Sequence, residues 1–415
     1  MKILIVNWSW YATGGDWTYI ENVRKLYESN GHEVIPFAAI HEKNQPEKTS
    51  DYFVKSHDYK ELNKHKSLTN GIKVLQSSVV SHDALQKLEQ LLDQFPVDIA
   101  HLQNVHHYIT PAIIDVLKRR KIPVIWTLHD FKIICPENSF ISNGVLCEKC
   151  LTGSFYHCAL SSCKKHSFMA SSLASFEAYY YHHKKIYNKV DQFLCPSDFL
   201  RKKFIQFGFS PEKLTLAHSC YDVNLVDEYL KQHAANSKPD QKYALYIGRL
   251  ESIKGVHTLV EAVKDTPIHL KIVGSGSDLP HLQQLAAGHS NIEFLGFKNK
   301  EEVFELTRHA SFVVCPSVCY ENLPFSVIET FLFSRPVVGA MIGGIPELVI
   351  NEKTGLLFEA GNANHLCEKL RYLWDNDDLA DELGRNARKH AYQMIHFDTH
   401  WKLLSNLIEP LTKTH

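Results

Sequence analysis

Along the chain, short apolar runs alternate with longer segments whose apolar residues recur at helical spacing. The first run predicts a buried strand over 2–7, and Gly14-Gly15 then precede a periodic segment over 17–29 that closes on Asn30-Gly31. After a polar, irregular stretch over 41–80 the pattern resumes as helix 84–92, strand 97–100, helix 111–117 and strand 123–127. A helical segment over 168–187 and strands over 191–195 and 214–217 complete this half. A second series follows: strand 243–247, a helix ending near 265, strands 270–273, 292–295 and 311–315, and a helix over 325–334. Helical patterns fill the chain beyond 362, the last over 398–411. Strands separated by helix-length segments need crossover connections, so the pattern predicts two parallel sheets. Ser237-Lys238-Pro239-Asp240, polar and Pro-containing, reads as a linker between them.

Open α/β sheets bind ligands at the carboxyl ends of their strands, and three predicted strand ends carry chemistry. Strand 311–315 stops at Pro316-Ser317, and the helix opened by Leu323-Pro324 offers the backbone donors of its first turn to an anion. Glu321 and Glu329 bracket this element. On a single helix they would lie ~12 Å apart, beyond the ~5 Å pair of a retaining glycosidase, so they read as two separate acceptors of hydroxyl hydrogen bonds. Strand 243–247 leads into Gly248-Arg249-Leu250 and Lys254-Gly255, where Arg as a fork and Lys as a point charge suit a diphosphate. Strand 123–127 delivers His129 and Asp130 to its edge, where a neutral imidazole could donate to a sugar hydroxyl or a leaving phosphate. Asn104, His106, His107 and Tyr108 follow the preceding strand as a weaker group. Taken singly, each feature also has an ordinary reading as solvated acids, a surface loop, a structural histidine or a tight turn. A sugar nucleotide, with hexose hydroxyls, a diphosphate and a ribose diol, supplies what the set as a whole can hold.

Glu321 and Glu329 in EN-LPFSVIE, followed by Arg335-Pro336-Val337-Val338 and Gly343-Gly344-Ile345-Pro346-Glu347, resemble the E-x7-E signature of retaining nucleotide-sugar glycosyltransferases of the GT-B fold, family four. The resemblance spans most of the chain and implies an α/β protein of two Rossmann-like, doubly wound parallel-sheet domains facing a cleft. It places them at 1–220 and 221–395, with a helix over 396–415 returning to the first. It implies that Glu321 contacts the transferred sugar and Glu329 the nucleotide ribose, with Asn322, Leu323, Pro324 and Phe325 beside the donor. By the same resemblance Arg249 and Lys254 would neutralise the leaving diphosphate, Gly15 with Gly14 would face the donor phosphates, and Phe297 and Lys298 would lie where the base is contacted. The resemblance further implies that His129 meets the donor sugar, which makes His129, Arg249, Lys254 and Glu321 the expected catalytic set. Asp130 would orient His129 or help bind acceptor, together with His106 and His107. One departure is that Asn322-Leu323-Pro324 stands where many members carry Gly-Phe-Gly. The activity implied is retaining hexosyl transfer from a nucleoside-diphosphate sugar to a glycan or lipid-linked acceptor in surface polysaccharide synthesis. An epimerase of the same fold and a non-catalytic sugar-nucleotide-binding protein are the rivals. A nicotinamide oxidoreductase is disfavoured because neither half carries G-x-G-x-x-G after a strand.

Composition narrows the picture further. Lys and Arg total 45 against 46 acids, so no global field favours nucleic acid. No apolar run reaches ~18 residues, and Asn7 arrives too early for a signal-peptide core, so a cytoplasmic protein is expected, with peripheral contact at the inner membrane face as a further expectation. That contact would come from an aromatic and basic surface of Tyr179, Tyr180, Tyr181, Tyr187, Lys184-Lys185 and 201–209; its alternative is a solvated charged face. Ten cysteines without a secretory signal argue for reduced thiols or a metal site. Cys147, Cys150, Cys158 and Cys163 form C-x2-C-x7-C-x4-C, a spacing that could converge on a structural zinc, with His157, His166 and Cys135 as substitute ligands and unliganded thiols as the alternative. No cofactor is expected for catalysis, since the cations are already supplied by side chains. The 25 histidines have no explanation at this level.

Overall fold

Apolar runs too short to span a domain as helices find their partners side by side, as parallel strands. The computed structural model describes residues 1–55, 79–106, 108–233 and 241–413, so His107 and the predicted 237–240 linker lie outside it. The chain divides into two compact units, Met1–Cys220 with His400–His415, and Tyr221–Thr399.

In the first unit, strands β1 (Lys2–Val6), β2 (Glu33–Phe37), β3 (Ile99–Leu102), β4 (Val124–Thr127), β7 (Gln192–Cys195) and β8 (Leu214–Leu216) form one sheet in the order β2-β1-β3-β4-β7-β8. Between β4 and β7 a small antiparallel hairpin, β5 (Ile141–Ser142) and β6 (Val145–Leu146), stands apart from that sheet. In the second unit, β9 (Ala244–Ile247), β10 (Leu270–Val273), β11 (Ile292–Gly296), β12 (Phe312–Cys315), β13 (Val337–Ala340) and β14 (Gly355–Phe358) pair in the order β11-β10-β9-β12-β13-β14. Every pairing in both six-stranded sheets is parallel. β3, β4, β12 and β13 are buried at every position, as strands covered on both faces must be.

Strands β2, β13 and β14 escape the sequence pattern. They are four or five residues long, no shorter than the strands the pattern did mark. The helix predicted over 168–187 ends at His183, and Lys185 enters the left-handed region at φ 50° before a separate turn, Ile186–Lys189.

The first unit holds a buried polar chain in place of pure hydrocarbon. The Tyr27 hydroxyl lies 3.0 Å from His101 Nδ1, and His101 Nε2 lies 2.7 Å from Thr127 Oγ1. Thr127 Oγ1 donates to the Tyr19 hydroxyl at 3.3 Å, which in turn lies 3.2 Å from His400 Nε2. Burial lowers the pKa of His101 to about 3 and of His400 to about 4, so both are neutral at physiological pH. Two of the many histidines therefore serve as neutral, hydrogen-bonded core residues.

Candidate functional site

At the carboxyl ends of β9 and β12 the second unit joins two loops by their backbones. Val318 N donates to Ile253 O at 3.0 Å. Gly255 sits at φ 68°, and a Cβ there would lie 1.9 Å from Pro316 O, so only glycine lets the loops meet. This contact fixes Lys254 against the segment that carries Glu321. Lys254 Nζ donates to Glu321 Oε1 at 2.6 Å, and Ser317 Oγ donates to the same oxygen at 2.6 Å. Gly344 N donates to Glu321 O at 2.7 Å, and Gly343 (φ 59°) passes so close that a Cβ would lie 2.5 Å from that oxygen. Burial alone would raise the Glu321 carboxyl, but the Lys254 charge, the Lys254 and Ser317 hydrogen bonds and the Arg249 charge outweigh it and hold the group below the usual carboxylate range. Burial likewise opposes the Lys254 ammonium, and Glu321 overcomes it, leaving its pKa raised. Arg249 is more exposed and donates to Glu251 Oε1 at 2.7 Å. The sequence-predicted trio Arg249, Lys254 and Glu321 is thus one electrostatic cluster, with Ser317 as a member the sequence did not single out.

Glu329 lies within the Phe325–Leu332 helix, whose amino end is capped by no side chain and starts at Pro324. Tyr221 donates its hydroxyl to Glu329 Oε1 at 2.8 Å. Burial raises the Glu329 pKa, while the Tyr221 hydrogen bond and the Lys300 charge pull the other way. Lys300 Nζ stands 5.7 Å over the Tyr221 ring. Neither Tyr221 nor Lys300 lies in a recognisable motif, and no sequence signal pointed to them. The Leu323 side chain is buried. Phe297 is 79 % exposed, and Lys298 donates to Glu302 Oε1 at 2.9 Å beside it.

In the first unit, Gly15 is the first residue of the Gly15–Ser29 helix, two residues before the predicted periodic segment. His129 follows β4. Its Nε2 lies 2.7 Å from Gln103 Oε1, and its ring meets Tyr19 edge-on at 5.4 Å. Burial lowers its pKa to about 4, with the Asp16 charge opposing. The expectation that Asp130 orients His129 is corrected: Asp130 Oδ1 accepts from Lys132 N at 2.8 Å and Oδ2 accepts from Asn138 Nδ2 at 3.4 Å, holding its own loop. Gln103, at the end of β3, holds the imidazole instead, and Asp16 accepts from Asn104 Nδ2 at 3.0 Å nearby. The His106 ring lies 5.4 Å from Trp126, and its Nε2 lies 3.3 Å from the Tyr187 hydroxyl.

The cysteines gather differently from the predicted C-x2-C-x7-C-x4-C set. Cys135, Cys150, Cys158 and Cys163 act on one another electrostatically, and burial pushes the thiols of Cys135 up to about 11 and of Cys150 and Cys158 up to about 12. Cys150 and Cys158 pack with Phe155 and Ala178 in a small apolar cluster, and Cys163 Sγ donates to Ser142 Oγ at 3.4 Å. Among the described residues no three His, Cys, Asp or Glu side chains are arranged to hold a metal ion.

The family model described as Glycosyltransferase Family 4 matches residues 13–225, more than half of the chain, and the model of glycosyl transferases group 1 matches 228–390. The chain belongs to glycosyltransferase family 4. Curated relatives of this family 4 chain include an uncharacterized glycosyltransferase of Methanocaldococcus jannaschii, 29% identical over 48% of this chain and 61% of that protein. Another is the D-rhamnosyltransferase WbpZ of Pseudomonas aeruginosa, 29% identical over 37% of this chain and 42% of that protein. The matched part thus spans about half the length of these relatives. Among solved structures, a sucrose-phosphate synthase from Thermosynechococcus elongatus superposes with a TM-score of 0.73 at 17% identity, covering 100% of both chains. HepE of Anabaena, solved with UDP-glucose, superposes with a TM-score of 0.65 at 17% identity, covering 99% of this chain and 100% of its own. At such identity the likeness speaks for the fold, which in this family 4 member is GT-B, two parallel-sheet α/β domains. No helix among the described residues is long and apolar enough to cross a membrane.

Proposed function

We propose that the protein is a retaining glycosyltransferase that moves a hexosyl group from a nucleoside-diphosphate sugar to a hydroxyl of a glycan or lipid-linked acceptor. The observation that carries this reading is the shared Glu321 carboxylate, held by Lys254 and Ser317 beside Arg249 at the edge of the second sheet. A cation already desolvated and paired to a carboxylate is poised to exchange part of that pairing for a diphosphate. Glu321 then accepts from sugar hydroxyls, and Glu329, held by Tyr221, accepts from the ribose diol.

The reaction breaks the bond between the anomeric carbon and the diphosphate oxygen and forms a bond from the acceptor oxygen on the same face. A donor phosphate oxygen takes the acceptor proton. Leaving-group charge is the central difficulty, and Arg249, Lys254 and the amides at the Phe325–Leu332 helix tip answer it. His129, kept neutral by burial and held 2.7 Å from Gln103 Oε1 through Nε2, contributes no positive charge to this balance.

The test is release of nucleoside diphosphate from uridine, guanosine and adenosine diphosphate hexoses with and without a glycan acceptor, and the anomeric configuration of any product by NMR. Acceptor-dependent release with retention is the expected result. Donor isomerisation without an acceptor points to an epimerase, and binding without turnover removes the catalytic reading.

A further inference from the structure

Of the thirteen large apolar side chains exposed among the described residues, eight fall between Val145 and Tyr179. They concentrate on two packed helices of the first unit, Tyr156–Leu160 and Phe168–His183, joined where Tyr156 N donates to the Tyr179 hydroxyl at 3.2 Å. The longer helix is built in reverse of a soluble surface helix. Its inner face carries Ser171, Ala174, Ser175, Ala178 and Tyr181, and its one charged residue, Glu177, is turned inward to Lys132 at 2.9 Å. Its outer face carries Met169 at 82 % exposure, Phe176 at 57 % and Tyr179 at 41 %, with Phe168 at 61 % at its start and Leu160 at 71 % on the neighbouring helix.

Within residues 138–190 the exposed, unpaired charge has one sign. Over residues 138–190 the acids are Glu148 and Glu177, and both are committed to ion pairs, with Lys203 and Lys132. Lys149, Lys165, Lys184 and Lys185 are exposed, and among the described residues none of them pairs with a carboxylate. Lys184 instead stands 5.9 Å over the Tyr180 ring. An apolar strip flanked by unneutralised lysines complements a bilayer surface with anionic headgroups, which receives the side chains and the charges together. A second copy of the chain meets the apolar strip but sets the same lysines against one another across a twofold contact. We infer that the Tyr156–Leu160 and Phe168–His183 helices form a peripheral docking face for an anionic lipid surface. This face goes beyond the transfer reaction, and its test needs no turnover.

The experiment is flotation of the full chain with vesicles of phosphatidylcholine alone and with ~30 mol % phosphatidylglycerol, at low and high salt. Each lysine near an anionic surface contributes about fivefold in partitioning, so binding that needs the anionic lipid and falls at least tenfold at high salt is expected. Met169→Asp with Phe176→Asp should abolish flotation, and Lys184→Glu with Lys185→Glu should reduce it about tenfold or more. All four positions are exposed, and unchanged circular dichroism and thermal unfolding show that the fold is intact. Absence of flotation with anionic vesicles, or equal flotation by the folded Met169→Asp/Phe176→Asp variant, overturns the inference. So does sedimentation showing that the apolar strip dimerises the wild type and that the variant is monomeric. Donor turnover in free solution is measured separately, so either reading can fail without the other.

Discussion

Lys254 Nζ donates to Glu321 Oε1 at 2.6 Å with 20 % and 15 % of the two side chains exposed, so the pair works at the boundary between water and protein interior. Removing one partner leaves the other charge partly buried and unpaired. Lys254→Ala is expected to lower transfer by about 10²–10³-fold and to lower stability by roughly 1–3 kcal/mol, below the full cost for a deeply buried pair because water still reaches this one. Lys254→Met combined with Glu321→Gln should recover most of the stability and none of the activity. Urea midpoints and donor turnover on the same preparations separate the two effects; near-wild-type turnover by Lys254→Ala would remove the lysine from the chemistry.

Tyr221 governs the state of Glu329. Burial already raises that carboxyl, and the tyrosine hydrogen bond restrains it. In Tyr221→Phe the pKa should rise further, so the acid limb of donor KM moves to higher pH while kcat on the alkaline side changes little. A pH profile with an unmoved acid limb would assign Tyr221 to packing alone.

Gly255→Ala places a methyl group where Pro316 O stands, on a backbone at φ 68° that alanine resists. The loops that join Lys254 to Glu321 must part, and a loss of roughly 2–4 kcal/mol is expected together with loss of transfer. A crystal structure or a melting curve indistinguishable from wild type would show that the loops accommodate.

Acid should destabilise the first unit early. His101 and His400 have folded-state pKa values of about 3 and about 4, below the ordinary histidine value. The unfolded chain takes up protons that the folded chain refuses, so the stability these residues contribute is complete above pH ~6.5 and is lost as pH falls toward those values. Together they cost roughly 2–3 kcal/mol per pH unit below pH ~6, measurable as a falling urea midpoint between pH 7 and pH 5. Because buried His129, also lowered to about 4, adds to the same slope, His400→Gln should reduce it by about a third, and an unchanged midpoint across that range would show that the rings protonate in place.

The sheets and the second-unit site were largely legible because their signals are local. Arg249, Lys254, Glu321 and Glu329 each follow a strand or open a helix that the apolar pattern marks, and the structure sets the first three in one cluster. What was missed depends on partners distant in sequence. Tyr221 reaches Glu329 across 108 residues and Gln103 reaches His129 across 26, and nothing in either neighbourhood announces the pairing. The cysteines show the same dependence: Cys135, a substitute in the sequence reading, acts electrostatically on Cys150 and Cys158. The reversed helix was visible as aromatic composition, but which face turned outward depended on where its small residues found a neighbour.

The Phe397–Lys413 helix belongs to the first unit from His400 onward, and His400, Leu404 and Ile408 are buried there. A nascent chain that has emerged through residue 220 therefore lacks a piece of its own first domain, and must wait for nearly two hundred more residues before the gap beside Tyr19 can be filled. Synthesis order and folding order diverge in this protein: the lobe made first is completed last, after the intervening one is already on hand.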